Sequence, residues 1–403
     1  MVRKAYPRRN FLADGMCLLG VSLLNSLSFS PPRLISTQDG TRKTVTSGDT
    51  GGMIVYSEEY ITREMPVSFL HDWITPVQHF FVRNNELMPG LDVANWRLSI
   101  VGEVAHPLEL TLQELGRYEP GRVTNTLECA GNGRAFFSPR VTGVPWSRGG
   151  VGNGTFSGPP LAKLLEAAGL KRTARHVAFR GVAVPSPSPP FIRSIPIAKA
   201  LDPETLIATE MNDAPLTPEH GYPLRALVPG WIGSASIKWL TEIRVMTEEF
   251  HGFFMDSAYR LPGDTLTPDN PNAKVPTRTI TSLAVKSIIS FPTDGSVIDA
   301  STTPVRIRGA AWAGESDIAR VEVSTDGGLS WRSADLSLEH ARFSWRLWSF
   351  AWTPPGDGEY DLLSRATDRS GRSQPMQMRW NPGGYLWNAV DRIHVIVRGT
   401  RAA

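Results

Sequence analysis

The run Thr126-Leu127-Glu128-Cys129-Ala130-Gly131-Asn132-Gly133-Arg134 joins a strand-like entry to a tight turn of small residues around one cysteine. Glycines on both sides of Asn132 let a backbone bend sharply, so the thiol is presented at the end of a strand. A soft thiolate suits a redox-active transition metal. Arg134, five residues on, places a cation near the sulfur and favours the metal-binding thiolate form. A lone cysteine is more often a small buried apolar residue than a ligand, so its surroundings must decide.

Outward from that stretch the chain is ordinary in composition. It has 403 residues, 41% apolar and 20% charged, with a formal net charge of +3. That length fits two domains with a sizeable core. The small net charge argues against a nucleic-acid binder and leaves room for a local cationic pocket that attracts small anions. Cys17 and Cys129 are the two cysteines. Neither a C-x-x-C-H haem site nor a C-x-x-C zinc pair occurs, so any haem is expected on a partner.

The N-terminus reads as an address. Arg8-Arg9 followed by Phe11-Leu12 matches the twin-arginine export pattern, and Met16 to Leu27 is too short for a membrane span. Residues 1–30 are therefore expected to be a twin-arginine signal peptide directing the folded protein to the periplasm. Residues 31–52, rich in Ser, Thr, Gly and Asp, read as a linker.

From 53 to 280 helical and strand signals are mixed. Thr111-Leu-Gln-Glu114 is a capping box. Pro159-Pro160 before Leu161, with Gly169 behind, marks a helix with a proline start and a glycine stop. Arg97 to Val101 and Pro223 to Pro229 read as strands. An α+β domain is expected there. From 281 to 398 the texture turns all-β. Val305-Arg-Ile-Arg308 alternates, Val321 to Trp331 forms a hairpin around Gly327-Gly328, Phe343, Trp345 and Leu347 alternate, and Arg392 to Val397 closes the chain. Six or seven short strands predict an immunoglobulin-like β-sandwich.

Several segments in order carry a family resemblance. Glu128-Cys129-Ala130-Gly131-Asn132, Phe80-Phe-Val-Arg83-Asn84, His220-Gly-Tyr-Pro-Leu-Arg225, Val228-Pro-Gly230, Ser236-Ile-Lys238-Trp239 and Trp380-Asn381-Pro resemble the sulfite oxidase family, nearest its bacterial periplasmic sulfite or sulfane dehydrogenases. The resemblance implies a molybdopterin cofactor with Cys129 as metal ligand. It assigns Phe81, Val82, Arg83, His220, Arg225, Ser236, Ile237 and Lys238 to cofactor binding. It assigns Arg83, Arg134, Tyr259 and Trp146 to the substrate pocket. It further implies oxidation of sulfite, or a related sulfur compound, to sulfate by oxygen-atom transfer. Electrons would pass to a c-type cytochrome, with no haem in this chain, no nucleic acid and no membrane span. A homodimer through the sandwich is also implied.

Three departures stand out. Gly383 occupies the place of an arginine of the vertebrate enzymes. Asn85 replaces a common histidine. Ala183 sits where an acidic pterin contact usually stands, beside the run Val184-Pro-Ser-Pro-Ser-Pro-Pro190. A missing cation could admit a bulkier, protein-bound sulfur species. Two other functions fit less of the pattern: a molybdopterin-dependent S-oxide or sulfoxide reductase, and a non-enzymatic exported binding protein with a structural Cys129.

Overall fold

Two larger sheets, three two-stranded ones and a two-sheet sandwich make up the described residues, and the cysteine loop packs against the sandwich. The computed structural model describes residues 51–184, 188–263, 266–271, 273–299 and 304–399. The expected signal peptide, and the linker apart from Gly51 and Gly52, lie outside the described residues, as do three residues of the proline-serine run.

The first region is mostly β. A five-stranded sheet runs in the order Leu108–Leu110, Leu98–Gly102, Leu240–Met246, His176–Gly181, Ile192–Pro196. Its one parallel pair, Leu98–Gly102 beside Leu240–Met246, joins segments far apart in the chain. The helix Leu161–Ala168 packs Leu161, Leu164, Leu165 and Ala168 against this sheet in one apolar cluster. Its limits follow from local chemistry. Pro160 supplies the entry, and Gly169, at φ 71°, adopts the left-handed conformation that ends it. The capping box at Thr111 forms with both reciprocal bonds, on a helix of one turn, Leu112–Leu115. Helices are few among the described residues, so the expected α+β mixture leans strongly to β.

A second sheet presents the cysteine. Strand Gly121–Glu128 pairs antiparallel with Val151–Gly158 along its whole length. Cys129 follows directly, and its backbone N–H donates to the Gly150 carbonyl at 2.9 Å. Gly133 takes φ 90° in the turn beyond, a conformation costly for other residues.

Nine strands form two further sheets over Lys286–Arg398. Ile307, Ala311, Trp348, Phe350 and Trp352 of one face Ile298, Val321, Val323, Leu362, Ile393 and Val395 of the other in a common core. A hairpin turns at Gly327-Gly328, both at positive φ, but its second strand is Arg332–Ser333, just beyond the Leu329 to Trp331 read from sequence. One phase differs. The strand begins at Arg346 rather than Phe343, and Trp348, Phe350 and Trp352 point inward. Phe343 and Trp345 are buried instead against the first region, among Phe81, Trp146 and Leu227 and among Ala130 and Ile232. No helix of the described residues is long and apolar enough to cross a membrane.

Candidate active site

A partly open cleft lies beside Cys129. Its wall brings together Phe81, Arg83, Cys129, His220, Arg225, Ser236, Ile237, Lys238 and Tyr259, residues spread over more than 170 positions of sequence. Val82, Arg134 and Trp146 do not wall it. Val82 is buried and pairs its backbone with Arg63. Trp146 is fully buried, edge-on to Tyr56 and Phe81 at 5.4 and 6.1 Å, so it backs the Phe81 wall instead of forming it.

Arg134 is tied to backbone carbonyls and does not line the cleft. Its guanidinium donates to the Val144 carbonyl at 2.9 Å and twice to the Gly383 carbonyl at 3.1 Å. It also lies 5.5 Å from the Tyr385 ring centre. A side chain at Gly131 would collide with this guanidinium at 2.4 Å, so the glycine that lets the cysteine turn also lets Arg134 fold over it.

One end of the cleft is strongly cationic. Arg225 donates to the carbonyls of His220 and Ser236, each at 3.1 Å. Lys238 donates to the Glu219 carbonyl at 2.7 Å and to Asn84 Oδ1. Neither cation forms a salt bridge among the described residues. Desolvation, with Lys238 and Arg225 nearby, pushes the His220 imidazole down to about 3, so it stays neutral. Desolvation brings Arg225 down to about 10 and, with the charge of Arg225, holds Lys238 well below the ordinary lysine range. Like charges buried together are costly unless an anion meets them. Three buried polar atoms of the same wall, Asn84 Nδ2, Arg225 Nε and Ser234 Oγ, have no hydrogen-bond partner among the described residues. Unmet donors beside unpaired cations fit a phosphate group.

The other end surrounds Tyr259. Arg83 Nη2 donates to Asn85 Oδ1 at 2.9 Å, and Asn85 Nδ2 reaches the Tyr259 hydroxyl at 3.1 Å. Asn85, read in the sequence as a departure, thus links the arginine to the tyrosine. Desolvation holds the Tyr259 phenol above its ordinary value, against the pull of Arg83. Tyr259 has φ 55°, an unusual backbone for a bulky residue, and its N–H donates to the Tyr385 hydroxyl at 3.3 Å. The two rings stack at 5.5 Å. Tyr385 explains Gly383: a Cβ there would stand 2.2 Å from the Tyr385 ring, so tyrosine fills the space that a side chain at 383 would need.

Glu128, next to the cysteine, is buried. Its carboxylate accepts from Lys286, from Trp312 Nε1 at 2.9 Å and from Asn132 Nδ2 at 2.9 Å. Lys286 and Trp312 belong to the sandwich, which therefore braces the cysteine loop directly.

Asn84, Ser234, Tyr385 and Arg193 were not singled out from sequence. Asn84 and Tyr385 lie inside or beside the quoted motifs, a signal that could have found them. Ser234 carries no such mark.

Among the described residues no group of three or more His, Cys, Asp or Glu side chains could hold a metal ion. A metal at Cys129 must therefore take its remaining ligands from outside the protein, which is what an anionic, sulfur-bearing pterin provides. The cation cluster and unmet donors fit its phosphate, and Cys129 fits its metal.

Comparison with known proteins agrees with this chemistry. Residues 85–254 match the oxidoreductase molybdopterin-binding domain, and residues 277–398 match the Mo-co oxidoreductase dimerisation domain. Sulfite oxidase of Arabidopsis thaliana is 32% identical, over 84% of this chain and 92% of its own length. The mitochondrial sulfite oxidase of Macaca fascicularis is 35% identical over 85% of this chain, which spans 65% of that relative. The crystal structure of the sulfane dehydrogenase SoxCD from Paracoccus pantotrophus superposes with a TM-score of 0.73 at 28% identity, covering 84% of this chain and 85% of that one. The fold and site define a molybdopterin-binding oxidoreductase domain joined to its dimerisation domain. The chain belongs to the sulfite oxidase family.

Proposed function

We propose that this protein is a molybdenum-dependent oxidoreductase that oxidises sulfite, or sulfur in a closely related compound, in the periplasm. The observation that carries the reading is the pairing, in one cleft, of a single thiol with a cation cluster and unmet donors. His220, Arg225, Ser236 and Lys238 would hold the cofactor phosphate, and Phe81 and Ile237 its flanks. Cys129 would hold the metal. When bound, the cofactor supplies the oxygen atom given to sulfur and takes up the electrons.

The chain's own part is orientation and charge. Arg83 faces the cleft with no carboxylate partner among the described residues and attracts the oxyanion. Asn85 fixes Arg83 relative to Tyr259. The Tyr259 hydroxyl, kept protonated, donates a hydrogen bond toward the sulfur oxygens. Arg134, behind Tyr385, adds positive charge from outside the wall, and Trp146 stiffens Phe81. Conversion of sulfite to sulfate takes one oxygen from water and releases two protons and two electrons, which we assign to a c-type cytochrome in two single-electron steps.

Arg8-Arg9 and the apolar run behind them support export by the twin-arginine route. The two-sheet core supports reading residues 281–398 as an immunoglobulin-like sandwich, and the match to a dimerisation domain supports a homodimer. A molybdopterin-dependent S-oxide reductase is the second reading, favoured by the lack of a side chain at Gly383. Sulfite-driven reduction of ferricyanide, without dye-driven loss of a sulfoxide, is the expected result. The opposite pair of results would overturn sulfite oxidation.

A further inference from the structure

Another buried cation lies outside the cleft wall, and the chemistry derived so far does not use it. Arg193, in the strand Ile192–Pro196, is 1% exposed. It forms no salt bridge among the described residues. Its guanidinium donates to the carbonyls of Phe254 and Ile280, and its Nε has no partner among the described residues. Carbonyl dipoles solvate a guanidinium but do not neutralise it, and desolvation pulls its pKa down accordingly. An arginine nevertheless keeps its charge. The guanidinium carbon lies 5.0 Å from the centre of the Tyr259 ring. A cation placed against an aromatic face at that distance is attracted to the ring.

We infer that Arg193 is a positioning residue for the oxyanion site: a permanent positive charge behind Tyr259 that holds the ring and raises anion affinity in the cleft. This rests on the sulfite-oxidising reading. A buried cation without a counter-ion is a standing cost to the fold, and here it is set against the one tyrosine that links to Arg83 through Asn85. The cavity side of Tyr259 is where the oxyanion would bind. An interior charge is poorly screened, so on a divalent oxyanion it changes affinity by on the order of tenfold. Tyr385 closes the Cβ space at residue 383, so no side chain at that position can add charge. Arg193 adds it from the strand Ile192–Pro196, against the Tyr259 ring itself.

The test uses the molybdenum-loaded enzyme with Arg193→Gln, which keeps a donor for the Phe254 carbonyl but drops the charge, and Arg193→Lys, which keeps the charge. Two quantities are read: the sulfite KM with ferricyanide as acceptor, and the sulfate Kd by calorimetry. Arg193→Gln is expected to raise both about tenfold, with kcat changed less than about threefold. Arg193→Lys is expected to stay within about threefold of the parent in both. A folded, molybdenum-replete Gln variant with parental KM and Kd would overturn the inference. So would a folded Lys variant with KM and Kd raised about tenfold, a result that decides the matter even if Gln does not fold. A parent enzyme that binds sulfate but does not oxidise sulfite defeats the activity reading instead, and the sulfate arm still judges Arg193.

Discussion

Cys129 is held by its neighbours as a ligand would need to be: its N–H is fixed to Gly150, and Glu128 before it is locked to three donors. Cys129→Ser exchanges a soft sulfur for a hard oxygen at nearly constant volume. It should abolish sulfite oxidation while leaving the melting temperature close to the parent's, and retained turnover would show that the thiol is not the ligand. His220 gives a second residue-level expectation. In the fold it stays neutral until about pH 3, whereas an unfolded chain takes up its proton near 6.5. Its contribution is complete above 6.5 and declines as pH falls towards 3, because only the unfolded state gains the proton. In cofactor-free protein, His220→Gln should therefore lose less melting temperature than the parent on acidification through that window. Parallel curves would mean that His220 is protonated in the fold. At this scale the sequence pointed to Cys129, Arg225 and Lys238 through the motifs around them, since none of these residue types has a single use. Arg193 was hidden, because a single arginine in a strand carries no local mark and its partners, Phe254, Tyr259 and Ile280, lie 61 to 87 residues away.

Elements were legible where their ends are written in local chemistry. The Thr111 capping box, the Pro160 entry and the Gly169 exit all formed because their bonds are made within a few residues. The strand near Phe343 was misphased for the opposite reason. Alternation of Phe343, Trp345 and Leu347 is real, but burial against the first region, not sheet pleating, requires the first two. The same interface gives an expectation for the sandwich strands. Lys286 and Trp312 hold Glu128 from the adjacent strands Lys286–Phe291 and Val305–Trp312. Lys286→Met leaves a buried carboxylate unpaired and should cost about 3–5 kcal/mol of stability. Adding Glu128→Gln should recover part of that loss, measured by denaturant unfolding. Additive losses would mean that the pair does not interact.

At the scale of the whole molecule, the two regions share a core around the cysteine loop: Ala130, Val151 and Ile232 pack with Ile288, Ala310, Trp312 and Trp345. The sandwich is thus part of the site's support as well as a candidate dimer surface. The order of motifs along the chain made the family readable, yet Asn85 and Tyr385 acquired meaning only when distant segments came together. Export is a whole-chain property as well. Replacing Arg8 and Arg9 by lysine should leave the protein in the cytoplasm with its activity intact, and undiminished periplasmic protein would exclude the twin-arginine route.

The most direct test of the central claim is molybdenum analysis of the protein purified from molybdate-supplied cells able to assemble the pterin, with an optical titration by sulfite. Stoichiometric molybdenum and a sulfite-dependent loss of visible absorbance are expected. A metal-free protein whose spectrum ignores sulfite would contradict the assignment of Cys129 and of the cleft beside it.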